Sequence, residues 1–232
     1  MLGGTVLGAI AVVVVAIAIS SGGSSAKVVA PNSTAAKQAQ SKVNTLLNGI
    51  PQQGNTLGSP NAKVTVTEYG DLVCPVCKDF ALGAENNLIA NEVRQGKVKI
   101  VYKALETASG QANGSMFVPS QAAALAAGNQ KKAWNYIELF YHEQGDETNS
   151  YVTDNYLNGL AAQIPGLNVN QWGSDRQSSA LTTKVQGDMQ AGAAAGYNST
   201  PTILVSGPKS QARPIVGDTT YNQLQSAINS VS

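Results

Sequence analysis

Two cysteines, Cys74 and Cys77, are the only thiols in the 232-residue chain, and they stand in the run Cys74-Pro75-Val76-Cys77. Thiols at this spacing can close a disulfide with each other, or one can attack a mixed disulfide formed on the other, which is redox exchange chemistry. Three other uses compete with it. A structural disulfide has little to recommend it, because the entropic gain from a cross-link grows with the loop it closes and this loop is only four residues. Zinc wants four ligands, and His142 is the only histidine available to join the thiols. Capture of Cu(I) by two soft thiolates remains chemically open.

The elements around the pair decide which thiol reacts. Lys63 to Tyr69 alternates Val64, Val66 and Glu68 with Thr65, Thr67 and Tyr69, rich in β-branched residues, and predicts a strand. Gly70 to Val73 is a loop, and the spacing of Phe80, Ala84, Leu88 and Val93 predicts a helix running from the cysteines to Gly96. Pro75 suits the first turn of that helix, where its missing N–H costs nothing. Cys74 therefore sits at a helix N-terminus, whose free N–H groups and dipole favour a thiolate. On this basis Cys74 is the exposed nucleophile with a lowered pKa and Cys77, one turn later, the buried resolving thiol. Glu68 shares the face of Val64 and Val66, so it is expected in an apolar layer with a raised pKa, able to pass protons to or from Cys77; an edge-strand Glu reaching solvent is the alternative. Asp71 is either an organiser of the loop or a plain turn residue.

Further along, Lys97 to Lys103 predicts a second strand, parallel to the first because a helix connects them. Pro119 to Tyr197 is helical by pattern, four or five helices inserted as a block, in which Trp134, Tyr136, Phe140 and Tyr141 read as core and His142 as a solvated surface residue. Strands at Thr202 to Val205 and around Ala212 to Val216 form a late hairpin, and a helix bearing Leu224, Ala227, Ile228 and Val231 closes the chain. Thr200-Pro201 precedes the first of these strands. Its local chemistry allows a purposeful cis bond or an ordinary strand-initiating proline.

Lys plus Arg number 15 against 14 Asp plus Glu, and a balance this neutral argues against a nucleic-acid binder, which needs a basic stripe to meet phosphates. The first 26 residues carry no charged side chain. Leu2 to Ile19 falls between the roughly 7–15 apolar residues of a cleaved signal and the about 20 of a membrane span, so residues 1–20 read as a transmembrane anchor or signal segment with the remainder exported. Residues 21–51 read as a Gly/Ser-rich tether and an N-terminal helix between Ser33 and Ile50, and 52–232 as the folded α/β domain, with its helical insertion at about 117–197.

The stretch Glu68-Tyr69-Gly70-Asp71-Leu72-Val73-Cys74-Pro75-Val76-Cys77, the helical block, and Ser199-Thr200-Pro201-Thr202 before a hairpin together resemble the DsbA-like family of exported thiol–disulfide oxidoreductases, including its membrane-anchored Gram-positive members, over about residues 52 to 230. The resemblance implies a thioredoxin fold with an inserted helical domain, preceded by the apolar anchor helix. It implies that the Cys74–Cys77 disulfide is donated to reduced or misoxidised secreted proteins and restored by a quinone-linked membrane partner of the DsbB-like or vitamin K epoxide reductase-like kind, with no metal or organic cofactor. It implies that Pro201 is cis and abuts Cys74, that Thr200 offers its backbone to an extended substrate, and that Glu68 is the family's buried acid. Pro75 and Val76 would support the site. The location implied is the cell membrane with the catalytic domain outside the cytoplasm, or secretion if the segment is cut. Val76 stands where the best-known oxidants of the family have His, and its side chain offers the thiolate neither a hydrogen bond nor a charge, so a protein less oxidising than those relatives is expected. A reductase or isomerase of the same fold and a non-catalytic Cu(I)-binding module are the alternatives.

Overall fold

The computed structural model describes residues 30, 32–110 and 115–232. The expected anchor and most of the tether lie outside the described residues; among the described residues no helix is long and apolar enough to cross a membrane.

A six-stranded sheet in the order β1-β2-β4-β3-β5-β6 forms the centre. β3 (Val64–Gly70) and β4 (Val98–Ala104) pair in parallel with Glu68 opposite Tyr102. β5 (Thr202–Ser206) runs antiparallel to β3 on its other side, with Thr202 opposite Tyr69, and β6 (Ile215–Val216) completes the late hairpin. The strands read from sequence are thus present to within a residue at each end, except that β6 is shorter. The hairpin of β1 (Gln52–Gln53) and β2 (Thr56–Leu57), which extends the sheet beyond β4, was not expected. Strands of two residues carry no periodicity to read. Their turn is marked only by Gly54, whose φ of 56° places it in the left-handed region that hairpin turns favour.

Between β3 and β4 the chain makes the expected helical crossover, but not as a regular helix. α2 (Pro75–Phe80) passes into a π-turn at Ala81–Glu85, then α3 (Asn86–Leu88) and a second π-turn at Ile89–Val93. The wider turns alter which side chains face inward: Glu85, Ile89 and Val93 follow one another at steps of four and are all buried.

α1 (Thr34–Leu47) starts at Ser33, whose Oγ accepts from the Ala36 amide at 3.1 Å, and it buries Ala36, Ala39, Val43 and Leu47 on one face. Among the described residues five α-helices, α4 (Phe117–Gly128), α5 (Ala133–His142), α6 (Asp154–Ala161), α7 (Val169–Asp175) and α8 (Ser179–Ala194), lie between β4 and β5. Their aromatics are core, as expected. Trp134, Tyr136, Phe140 and Tyr141 are fully buried, Tyr136 stacks on Trp172 with centroids 5.7 Å apart, and the Trp172 indole N–H donates to Ala123 O at 2.8 Å. α9 (Tyr221–Val231) closes the chain behind a reciprocal Thr220/Gln223 capping box.

Candidate active site

β3 is the central strand, so its C-terminal end is enclosed by loops from both neighbours. Because Thr202 pairs with Tyr69, Thr200 and Pro201 are delivered to the place where the loop after β3 reaches Cys74. The Thr200–Pro201 bond is cis, Pro201 is buried, and the Cys74 thiol points at Thr200 O at 3.7 Å.

Asp71 settles as the organiser of the loop. Fully buried, it accepts from the Val73 amide at 3.0 Å through Oδ1 and, through Oδ2, from the amides of Thr107 and Ser109 at 2.9 Å each and from Ser109 Oγ at 2.7 Å. It ties the cysteine loop to the segment after β4, and Thr107 carries the tie onward by a hydroxyl–hydroxyl hydrogen bond to Thr200. One buried carboxylate thus sets the spacing of three loops. At Gly70 a Cβ would stand 2.7 Å from a Tyr102 ring carbon and 2.8 Å from Glu68 Oε1, so only glycine lets β3 end this close to both side chains.

Cys74 is the N-cap of α2 and Pro75 follows in its first turn, while both cysteines are free thiols. The Cys74 thiol is lowered to about 6. The largest cause is a hydrogen bond from the Cys77 side chain; burial opposes it, and the Thr200 side chain and the amides of Cys77 and Val76 add to it. This corrects the expected cause, since the helix-terminal amides matter less than the neighbouring thiol and Thr200. The expectation of an exposed nucleophile is corrected too. Cys74 is 6% exposed, packed against the Thr200–Pro201 loop, and it is Val76 at 37% that faces solvent. Cys77 is completely buried, and burial pushes its thiol well up, with Cys74 and Glu68 raising it further. The two thiols therefore differ in the direction a nucleophile and a resolving thiol require.

Glu68 lies inside, as its face on β3 predicted, and the solvent-reaching alternative fails because β3 is not an edge strand. Burial raises its carboxyl, Cys74 adds to the rise, and a hydrogen bond with Glu85 offsets part of it. Two further carboxyls, Glu85 and Glu138, are equally buried and were not anticipated. Glu85 stands two turns after Cys77 on the same helical stripe, with Ala81 between; that spacing was a readable signal. Glu138 carried one as well, as the acidic residue in a helix made mostly of apolar and aromatic residues. His142, expected in solvent, is half-buried at the end of α5, where burial first, then Lys42 and Lys78, lowers its pKa.

The chain that builds this buried pair of chemically unequal cysteines against a cis-proline loop matches a family model described as thioredoxin over residues 52–230. The chain belongs to the thioredoxin family. Within that family it is a DsbA-like disulfide oxidoreductase. A probable disulfide bond formation protein D of Bacillus anthracis is 24% identical over 162 residues, 66% of this chain and 69% of the relative. Among solved structures, oxidised BdbD of Bacillus subtilis superposes with a TM-score of 0.66 at 21% identity, covering 78% of this chain and 96% of that one. Pseudomonas aeruginosa DsbA2 superposes with a TM-score of 0.61 at 20% identity, covering 80% and 97%. Both share the thioredoxin-like α/β fold.

Proposed function

We propose that the protein is an exported oxidase that introduces disulfides into secreted proteins through Cys74 and Cys77. The observation that carries this reading is the asymmetry of the dithiol: a Cys74 thiolate stabilised to about 6 beside a fully buried Cys77 that keeps its proton. A substrate thiolate attacks Cys74 Sγ, the Cys74–Cys77 bond breaks, and Cys77 leaves as a thiolate that takes a proton from Glu68. A second substrate thiolate then attacks the substrate sulfur of the mixed disulfide and Cys74 leaves as a thiolate. Two electrons have passed to the protein, and the stabilised Cys74 anion favours that direction. Thr200 and Pro201 serve as the docking edge for an extended substrate segment, and Pro75 and Val76 shape the helix end beside it.

The dithiol left behind is reoxidised by a quinone-linked membrane partner of the DsbB-like or vitamin K epoxide reductase-like kind. The apolar segment at residues 1–20 holds the domain at the outer face of the cell membrane, or directs its secretion when cleaved. The Val76 side chain, which gives the thiolate neither a hydrogen bond nor a charge, favours a second reading in which electrons flow the other way and the protein is a reductase or isomerase. Equilibrating Cys74–Cys77 with glutathione separates the two. A potential near about −120 mV supports the oxidase and one near about −270 mV the reductant.

A further inference from the structure

Thiol exchange with Glu68 as the proton partner calls on neither Glu85 nor Glu138, yet each is completely buried in the same interior as Glu68. They arrive from different elements: Glu68 from β3, Glu85 from the π-turn that continues the cysteine helix, and Glu138 from α5. The carboxyls of Glu68 and Glu85 are within hydrogen-bonding reach of each other. No donor among the described residues reaches any of their four oxygens. A carboxylate only accepts hydrogen bonds, so two facing carboxylates with no donor would be two uncompensated buried charges. The one hydrogen able to satisfy the contact is a carboxyl proton held between them. Glu138 is placed differently, because Asn86, with its amide turned to donate, reaches Glu138 Oε1 at 3.2 Å and Ala81 O at 3.1 Å.

We propose that Glu68 and Glu85 hold one proton between them and work as a single proton-exchanging unit for Cys77, Glu85 being the positioning residue that keeps Glu68 able to take that proton up. The proposal rests on Glu68 being the proton partner of Cys77 and adds the residue that poises it. When the Cys77 thiol attacks a mixed disulfide on Cys74, its S–H proton passes to the Glu68 carboxylate while Glu85 keeps its own. The Cys77–Cys74 bond forms, the bond from Cys74 to the substrate sulfur breaks, and the departing thiolate takes a proton from solvent. In the opposite direction Cys77 leaves the disulfide and takes the proton back from Glu68. The pair alternates between one proton and two.

The surroundings support this division. The groups facing the pair are Cys77 and Cys74 from the cysteine helix, Tyr102 from β4, and Glu138 and Tyr141 from α5, with Asp71 acting on Tyr102; none is basic. Burial raises both carboxyls, and it is Glu68 that lies close enough to Cys74 and Cys77 to act on the thiols, so Glu68 is the member that exchanges the proton with Cys77 and Glu85 the member behind it.

The test is the rate at which Cys77 releases a thiol peptide from Cys74, followed by rapid mixing across pH on the full chain. Glu85→Leu removes the donor from Glu68 and is expected to raise the midpoint by about one to two pH units, the worth of a hydrogen bond to a charged group. Glu85→Gln keeps an amide donor and should stay close to the parent midpoint. Glu68→Gln should abolish the titration. If Glu68→Gln does so while Glu85→Leu leaves the midpoint in place or lowers it, Glu68 acts alone and the shared proton is overturned. If Glu68→Gln leaves the curve unaltered, the Glu68 reading fails first and the pair with it. Should the Leu variant not fold, infrared spectra decide. At neutral pH the protonated-carboxyl band of the parent should weaken in Glu85→Gln, and an undiminished band overturns the proposal.

Discussion

Gln144 donates from Nε2 to the carbonyl of Cys74 at 3.0 Å, and from the same nitrogen to that of Leu72 at 2.8 Å. Gln144 lies in the segment between α5 and α6, so the helical insertion reaches across to hold the loop that carries the reactive thiol. Replacing it by Ala leaves both carbonyls without this donor. Because Gln144 is only half-buried, water replaces part of what is lost, and urea unfolding should show a loss of about 1–2 kcal/mol. Gln144→Glu would set a negative group against the Cys74 carbonyl and should raise the Cys74 pKa, which ultraviolet titration of the thiolate reads directly.

The hydrogen bond from Cys77 is the largest cause of the lowered Cys74 pKa. Cys77→Ser keeps a hydroxyl donor and should hold the thiolate midpoint near the parent value. Cys77→Ala should move it up from about 6 toward the free-thiol range near about 8.5. Equal midpoints in the two variants would transfer the effect to Thr200 and the helix amides.

The pH dependence of the reduction potential follows from the same two thiols. A thiol lowered by the fold binds its proton less tightly in the folded state than in the unfolded one. The reduced protein therefore gains stability as pH rises from about 6 toward the unfolded thiol value, and loses it as pH falls through about 6. The disulfide form has no such ionisation. Below pH about 6 reduction should take up two protons and the potential should fall by about 60 mV per pH unit; above it, with Cys77 alone protonated, by about 30 mV. A single slope from pH 5 to 8, measured with glutathione at each pH, would contradict the assignment.

Asp71 accepts from three backbone amides in two loops. Asp71→Ala leaves those donors buried without an acceptor, at about 1–3 kcal/mol each, so denaturant unfolding should show a loss of several kcal/mol. Asp71→Asn keeps one oxygen but turns an NH2 toward donors, and should fall between. A stability loss below about 1 kcal/mol in the Ala variant would mean that the loops hold their spacing without this carboxylate.

What could be read in the sequence is what is local. The alternation along β3, the helical spacing after Cys77 and the position of Pro75 depend on neighbours a few residues away, and they place Cys74, Cys77 and the inward face of Glu68 without any knowledge of the rest. The cis bond at Thr200–Pro201 was legible only through the resemblance, since an X–Pro step before a strand is compatible with either isomer.

Only the tertiary structure decided which acceptors and donors meet. Asp71 meets the Thr107 and Ser109 amides because β4 lies beside β3, and Gln144 meets Cys74 because the insertion folds back over the loop. The stripe through Cys77, Ala81 and Glu85 and the apolar neighbours of Glu138 hint at inward faces, but surface placement is the ordinary fate of a helical Glu and nothing local brings the three carboxyls together. Their burial with Glu68 depends on packing the cysteine helix and α5 together against β3, and the protonation of a carboxyl is set by the solvent and charges that such packing removes or supplies.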